Sequence, residues 1–267
     1  MDWDDAYANA AHIPGSEAFP PRWAREAAAF RDRLGERARL GIPYGKAPDA
    51  LLDLFVPDGV PRGLVVFVHG GYWQRFGRRD WSHLAAGGVE RGWAVAIPGY
   101  TLCPGIRVAG ITRQIGAALV RAGDLVAGPV RLAGHSAGGH LVTRMLCDDA
   151  PLPAQLAERI ERTVSISGVH DLRPLLRTRL NEALRLDTDE ARAESPALAT
   201  PREGVRITAW VGADERPEFV RQSALLANIW TGLGAETAAV EEPGRHHFDV
   251  IDGLADPGSP LMQALLG

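Results

Sequence analysis

Residues 129–140 read Pro-Val-Arg-Leu-Ala-Gly-His-Ser-Ala-Gly-Gly-His. The first half, with Val130, Leu132 and Ala133, is an apolar run suited to a buried strand. The part that follows, with His140, Leu141, Val142, Met145 and Leu146, has the spacing of a helix packed on a sheet. Between them, Gly134-His135-Ser136-Ala137-Gly138 puts a serine at a sharp strand-to-helix turn. Such a residue has strained backbone angles, and its flanks must be small because neighbouring backbone passes close by. The five-residue pattern alone recurs in ordinary loops. Its strand-turn-helix setting is what nominates Ser136 as a nucleophile.

Working outward, runs at 51–56, 64–68, 93–97, 130–133, 163–167, 207–211 and 237–241 have strand character. Residues 80–91, 106–126, 137–147 and 217–233 are each long enough for a crossover helix over a parallel sheet. This alternation predicts an α/β fold: a mostly parallel central sheet with helices on both faces. The length, 267 residues, suits one domain covering 1–267. An alanine-rich, charged stretch at 22–37 reads as an amphipathic helix within an N-terminal helical extension, residues 1–40, that covers the domain or shapes the pocket. Residues 171–201, helical and irregular, are expected to form a small cap segment.

Hydrophobic residues make up 46% and charged residues 23%, which argues against wholesale disorder. Net charge is -4, without a basic run long enough to track a phosphate backbone, so nucleic acid is not an expected partner. The acidic start, Met1-Asp2-Trp3-Asp4-Asp5, is unlike a secretory signal, and no apolar stretch reaches membrane-spanning length. A cytoplasmic protein without membrane contact is expected. Cys103 and Cys147 are too few for a disulfide framework and lack metal-ligand spacing, so both read as free thiols with packing roles.

A serine at neutral pH needs a base to take its proton, and in open α/β sheets catalytic groups collect beyond the carboxyl ends of strands. After the 207–211 run come Asp214 and Glu215, and after 237–241 come His246, His247 and Asp249. The chain order serine, acid, histidine is that of the α/β-hydrolase triad. Asp214 is favoured as the acid because it comes first after its strand and its short side chain suits a fixed hydrogen bond to imidazole. Asp249, beyond the histidines, is a weaker rival. Spacing alone does not choose between His246 and His247. Adjacent histidines converge poorly on one ion, so no metal site is expected. Acyl transfer also needs donors for a negative oxygen, and His69-Gly70-Gly71-Tyr72-Trp73 follows the 64–68 strand with two glycines that expose backbone N–H groups. Gly70, Gly71 and Ala137, the residue after the serine, are the oxyanion candidates. His69 is expected to brace this loop.

HGGYWQ (69–74), GHSAGG (134–139), SGVHDL (167–172), GADERPEF (212–219) and HFDVI (247–251) together resemble the arylformamidase, or kynurenine formamidase, family of α/β-hydrolases. The likeness covers most of the chain from about residue 51. HGGYW is its most specific element, since broader esterase relatives carry a third glycine where Tyr72 stands. The resemblance implies Ser136, Asp214 and His247 as the triad, no cofactor, and cleavage of N-formylkynurenine to kynurenine and formate through a formyl-enzyme. A small-molecule substrate with an aromatic leaving group wants an aromatic wall, for which Tyr72, Trp73 and Tyr100 are candidates. A carboxylesterase acting on small acyl esters or aryl carbamates would use the same triad, and a silent ligand-binding fold would not need it. Oligomeric state, including a homodimer, stays open.

Overall fold

Eight strands form one sheet in the computed structural model, which describes residues 2–267: β1 (Ala38–Pro43), β2 (Leu51–Phe55), β3 (Leu64–Val68), β4 (Ala94–Pro98), β5 (Val130–His135), β6 (Ile160–Ile166), β7 (Arg206–Gly212) and β8 (Glu236–Glu242). Their order is β1-β2-β4-β3-β5-β6-β7-β8. β2 is antiparallel to both neighbours, whereas β3 to β8 pair in parallel. The mostly parallel sheet expected from the sequence is therefore present.

Both faces of the sheet are covered, and the pleat sorts the side chains. In β3 (LVVFV) every residue is buried, as a central parallel strand requires. Leu64, Val66 and Val68 join a core with Ile111 and Ile115 of the helix Val108–Leu125, Leu141 of Ala137–Arg144, and Phe219 and Leu226 of Pro217–Gly232. Val65 and Phe67 point the other way, into a core with Trp23 and Phe30 of Phe19–Leu34 and Leu261 and Leu265 of Pro260–Leu266. Each such side chain taken out of water contributes about 1.5–3 kcal/mol before entropy is counted.

The edges explain two differences from the sequence reading. β1 has no apolar alternation, yet it pairs antiparallel with β2 through a register shift between Arg39 and Ile42. There Gly41, at φ 71°, donates its N–H to the buried Asp53 carboxylate at 2.7 Å. A polar anchor with a bulge leaves little period-two signal. The N-terminal helix spans Phe19–Leu34 rather than 22–37 because Gly35, at φ 60°, ends it. The 80–91 helix is broken into short turns and Ala86–Glu90, with Gly87 and Gly88 pressed against Leu254 and Val95. Residues 171–201 form short helices, Asn181–Leu184 and Thr188–Ala193 among them. Among the described residues no helix is long and apolar enough to cross a membrane.

The connection from β5 into Ala137–Arg144 is the tightest place in the fold. A side-chain carbon on Gly138 would overlap the Val68 carbonyl oxygen, and one on Gly134 would overlap the Gly138 carbonyl. By contrast Gly232, in the last turn of its helix, has open space around its Cα. Gly138→Ala is expected to lower unfolding stability by about 3 kcal/mol, whereas Gly232→Ala should leave it equal or raise it by a few tenths up to ~1 kcal/mol. Urea denaturation of the two variants checks this. Equal midpoints would show that the crowding at Gly138 is relieved at no cost.

Candidate active site

β5 delivers Ser136 directly to the N-terminus of Ala137–Arg144, with the serine at φ 55° and ψ −115°. That left-handed backbone is costly for a residue with a side chain, and such strain is characteristic of a nucleophile turn. The turn is pinned by the Ser136 N–H, which donates to the Ile166 carbonyl at the end of β6, 2.8 Å away. Among the described residues the Ala137 N–H has no acceptor, and it lies at the positive end of the helix.

His247, after β8, is buried, and its Nδ1 lies 2.6 Å from Glu215 Oε2. The other Glu215 oxygen accepts from the Ser167 hydroxyl at 2.5 Å and from the Gly212 N–H at 2.9 Å. The expectation of Asp214 as the acid is thus corrected: Asp214 is exposed, its own N–H is tied to the Arg245 carbonyl at 3.0 Å, and among the described residues its carboxylate forms no hydrogen bond or ion pair with His247. The tight turn after β7 sends residue 214 outward and residue 215 back, so the longer carboxylate reaches the imidazole. Between the two histidines the geometry favours His247. His246 instead sits 3.1 Å from Asp249 and edge-on to Phe19. His135, the residue before the serine, holds His247 from the other side by donating Nε2–H to its carbonyl at 2.9 Å.

Beyond β3, Gly70 lies so near the nucleophile that a Cβ there would stand 3.0 Å from Ser136 Cβ. Gly71 has φ 110°, and the left-handed path continues through Tyr72 (φ 52°) and Trp73 (φ 59°). The N–H groups of Gly70, Gly71 and Tyr72 have no acceptor among the described residues, while the Gly71 carbonyl receives the Gln74 and Arg75 N–H groups at 3.0 Å each. His69 braces the loop as expected, with Nδ1–H donating to the Gly70 carbonyl at 2.8 Å. Its ring stacks on Tyr100 with centroids 4.4 Å apart, and the Tyr100 hydroxyl donates to the His69 carbonyl at 3.0 Å.

Ser136 and His247 open into a cavity of about 590 Å³. Of the three expected wall residues only Tyr72 lines it. Trp73 is fully buried, edge-on to His140, and Tyr100 is buried beneath His69, so both are corrected to supports of the loop. The aromatic wall is made instead by Trp23, Phe76, Trp81 and Phe248, with Trp23 and Trp81 centroids 4.7 Å apart. Residues 7–11 with Ser16, Glu17 and Pro20 supply much of the remaining wall, so the N-terminal extension shapes the pocket, and the 171–201 segment adds Leu180. The Tyr72 hydroxyl fastens this extension by donating to the Tyr7 carbonyl at 2.5 Å. No local pattern marks Trp23 or Trp81, because their convergence depends on long-range packing. Burial pushes the thiols of Cys103 and Cys147 up to about 11, so neither forms a thiolate near neutrality.

Several histidines beside the site are held neutral. Burial lowers His69 to about 4 and both His140 and His170 to about 3, and it holds His135 well below the usual range with help from His247. In the unfolded chain each takes a proton near pH 6.5, so below that pH the unfolded state binds more protons than the folded one. The stability these groups support is complete above about pH 6.5 and is lost as pH falls toward their folded values. Unfolding free energy should decline from pH 7 to 5, by up to ~1.4 kcal/mol per histidine per pH unit. Urea midpoints across that range measure it, and a flat profile would contradict the buried neutral assignment.

Similarity to known proteins places the chain. The profile of the Alpha/beta hydrolase family matches residues 65–266. Kynurenine formamidase of Danio rerio is 30% identical over 250 residues, covering 86% of this chain and 84% of that protein. A crystal structure from a Silicibacter species, provisionally called a thioesterase, is 48% identical with a TM-score of 0.96 and full coverage of both chains. An esterase of Pyrobaculum calidifontis, 16% identical with a TM-score of 0.68 over 93% of this chain and 90% of its own, shares the fold. The chain is a hydrolase that belongs to the α/β-hydrolase family and, within it, to the kynurenine formamidase family.

Proposed function

We propose that the protein hydrolyses an aryl formamide, N-formylkynurenine, to kynurenine and formate. The observation that carries this reading is the aromatic-walled cavity into which Ser136 and His247 open. An aniline leaving group fits against Trp23, Phe76, Trp81 and Phe248. The crowding of Gly70 against Ser136 suits formyl, the smallest acyl group. The 30% identity to the Danio rerio kynurenine formamidase supports the same substrate.

In this mechanism His247 takes the proton of the Ser136 hydroxyl as the oxygen attacks the formyl carbon. Glu215 holds the imidazole in the required tautomer and stabilises its charged form, while Ser167 and Gly212 keep the carboxylate oriented. The N–H groups of Gly71 and Ala137, with Gly70 and Tyr72 beside them, receive the negative oxygen of the tetrahedral intermediate. The imidazolium then protonates the departing aryl nitrogen, C–N cleavage leaves a formyl ester on Ser136, and water activated by His247 releases formate.

The test is kcat/KM for N-formylkynurenine beside a p-nitrophenyl ester and a short acyl thioester. A preference for the formamide is expected. Efficient ester or thioester cleavage with negligible formamide turnover would move the substrate elsewhere while leaving the triad standing. Ser136→Ala and His247→Ala should each lower kcat by about 10⁵-fold or more, and Glu215→Gln by about 10³–10⁴-fold through loss of the tautomer. His246→Ala and Asp214→Asn should stay near wild type. A severe loss in Asp214→Asn with an active Glu215→Gln would reverse the acid assignment.

A further inference from the structure

Most polar side chains on the cavity wall are engaged with the wall itself. Gln74 donates to the Leu180 carbonyl at 3.3 Å, Tyr72 to the Tyr7 carbonyl, and Asn9 Nδ2 to the Tyr72 hydroxyl at 3.2 Å. Two charged side chains on the same wall, Glu17 and Arg75, form no ion pair or side-chain hydrogen bond among the described residues. They carry opposite charges. Both are exposed to solvent, whereas a third polar group is buried: Asn9 is 5% exposed, and its Oδ1 has no donor. Its orientation is fixed, because the Tyr72 hydroxyl hydrogen is committed to Tyr7 and can only accept from Asn9 Nδ2. A buried amide oxygen without a partner is costly unless a ligand supplies a donor.

We infer that Arg75 receives a carboxylate, and Glu17 with Asn9 Oδ1 an ammonium group, so that the cavity selects an aryl formamide bearing an α-amino-acid end over a bare anilide. This inference rests on the formamidase reading and names how that site recognises its substrate. The placement is suitable. Arg75 follows the oxyanion loop, with its N–H closed onto the Gly71 carbonyl at 3.0 Å, and its guanidinium lies over the ring of Phe76 on the aromatic wall, 5.4 Å from the centroid. Glu17 lies in the turn Ser16–Ala18, which runs directly into the helix that carries Trp23 of the aromatic wall. Charged groups of either sign beside an aromatic wall match a zwitterion attached to an aryl ring, and guanidinium binds carboxylate in a bidentate fork.

The experiment measures two substrates and one ligand on wild type, Arg75→Gln and Glu17→Gln. The substrates are N-formyl-L-kynurenine and formanilide, which lacks the amino-acid end. The ligand is L-kynurenine, titrated by quenching of tryptophan fluorescence. The ratio of kcat/KM values should favour the amino-acid substrate in wild type and fall roughly tenfold or more in each variant, carried by KM. L-kynurenine affinity should fall by a similar factor, with Arg75→Lys recovering part of it. An unchanged ratio and unchanged affinity in both variants would overturn the inference. Absence of turnover on both formamides would count against the formamidase reading alone, since the kynurenine titration decides the amino-acid site by itself.

Discussion

A single buried carboxylate ties together the carboxyl ends of three neighbouring strands. Glu215 follows β7 and accepts from the Ser167 hydroxyl after β6, from the Gly212 N–H at the end of β7, and from His247 after β8. The side chain has no exposed surface, so each of its acceptor positions must find a donor within the protein. Meeting that demand fixes the relative height of the three loops and the rotation of the His247 ring. Ser167 is itself in left-handed backbone, φ 52°, which is the conformation that brings its hydroxyl to the carboxylate. Removing one donor leaves a buried charge partly unsatisfied, so the loops hold one another in place.

The opposite side of the site depends on backbone crowding rather than charge. β5 and β3 are adjacent, with Val68 paired to Gly134, so the serine turn and the His69–Phe76 loop emerge side by side. Only glycine at 134 and 138 allows the helix to begin against Val68, and only glycine at 70 leaves space beside Ser136. Tyr72 then shows why a third glycine is dispensable here. It accepts the strain of φ 52°, and its hydroxyl secures the N-terminal segment over the cavity. The same residue thus connects the oxyanion loop to the N-terminal segment that precedes the helix carrying Trp23.

The sequence made the sheet, the serine turn and the glycine loop legible because each is a local pattern: a continuous apolar run, a short motif, a pair of glycines after a strand. It misled where one residue of direction decides the outcome. Asp214 and Glu215 are adjacent after β7, and the preference for the shorter acid fails because the turn points Asp214 into solvent. Trp73 and Tyr100 were reasonable wall candidates by position, yet their rings fill space beneath the loop rather than above it. Trp23 and Trp81 carry no local sign of their place, since it is created when the N-terminal helix packs across the sheet. β1 was hidden for a related reason: its pairing rests on the Asp53 anchor and not on alternating side chains.

The most direct measurement of the central arrangement is the proton NMR resonance of the His247 Nδ1–H. A proton shared between imidazole and a buried carboxylate resonates far downfield and exchanges slowly enough to be seen. The signal should be present in wild type and in Asp214→Asn, and absent in both Glu215→Gln and His247→Ala. Persistence of the resonance in Glu215→Gln, or its loss in Asp214→Asn, would contradict the Glu215–His247 pair on which the proposed chemistry stands.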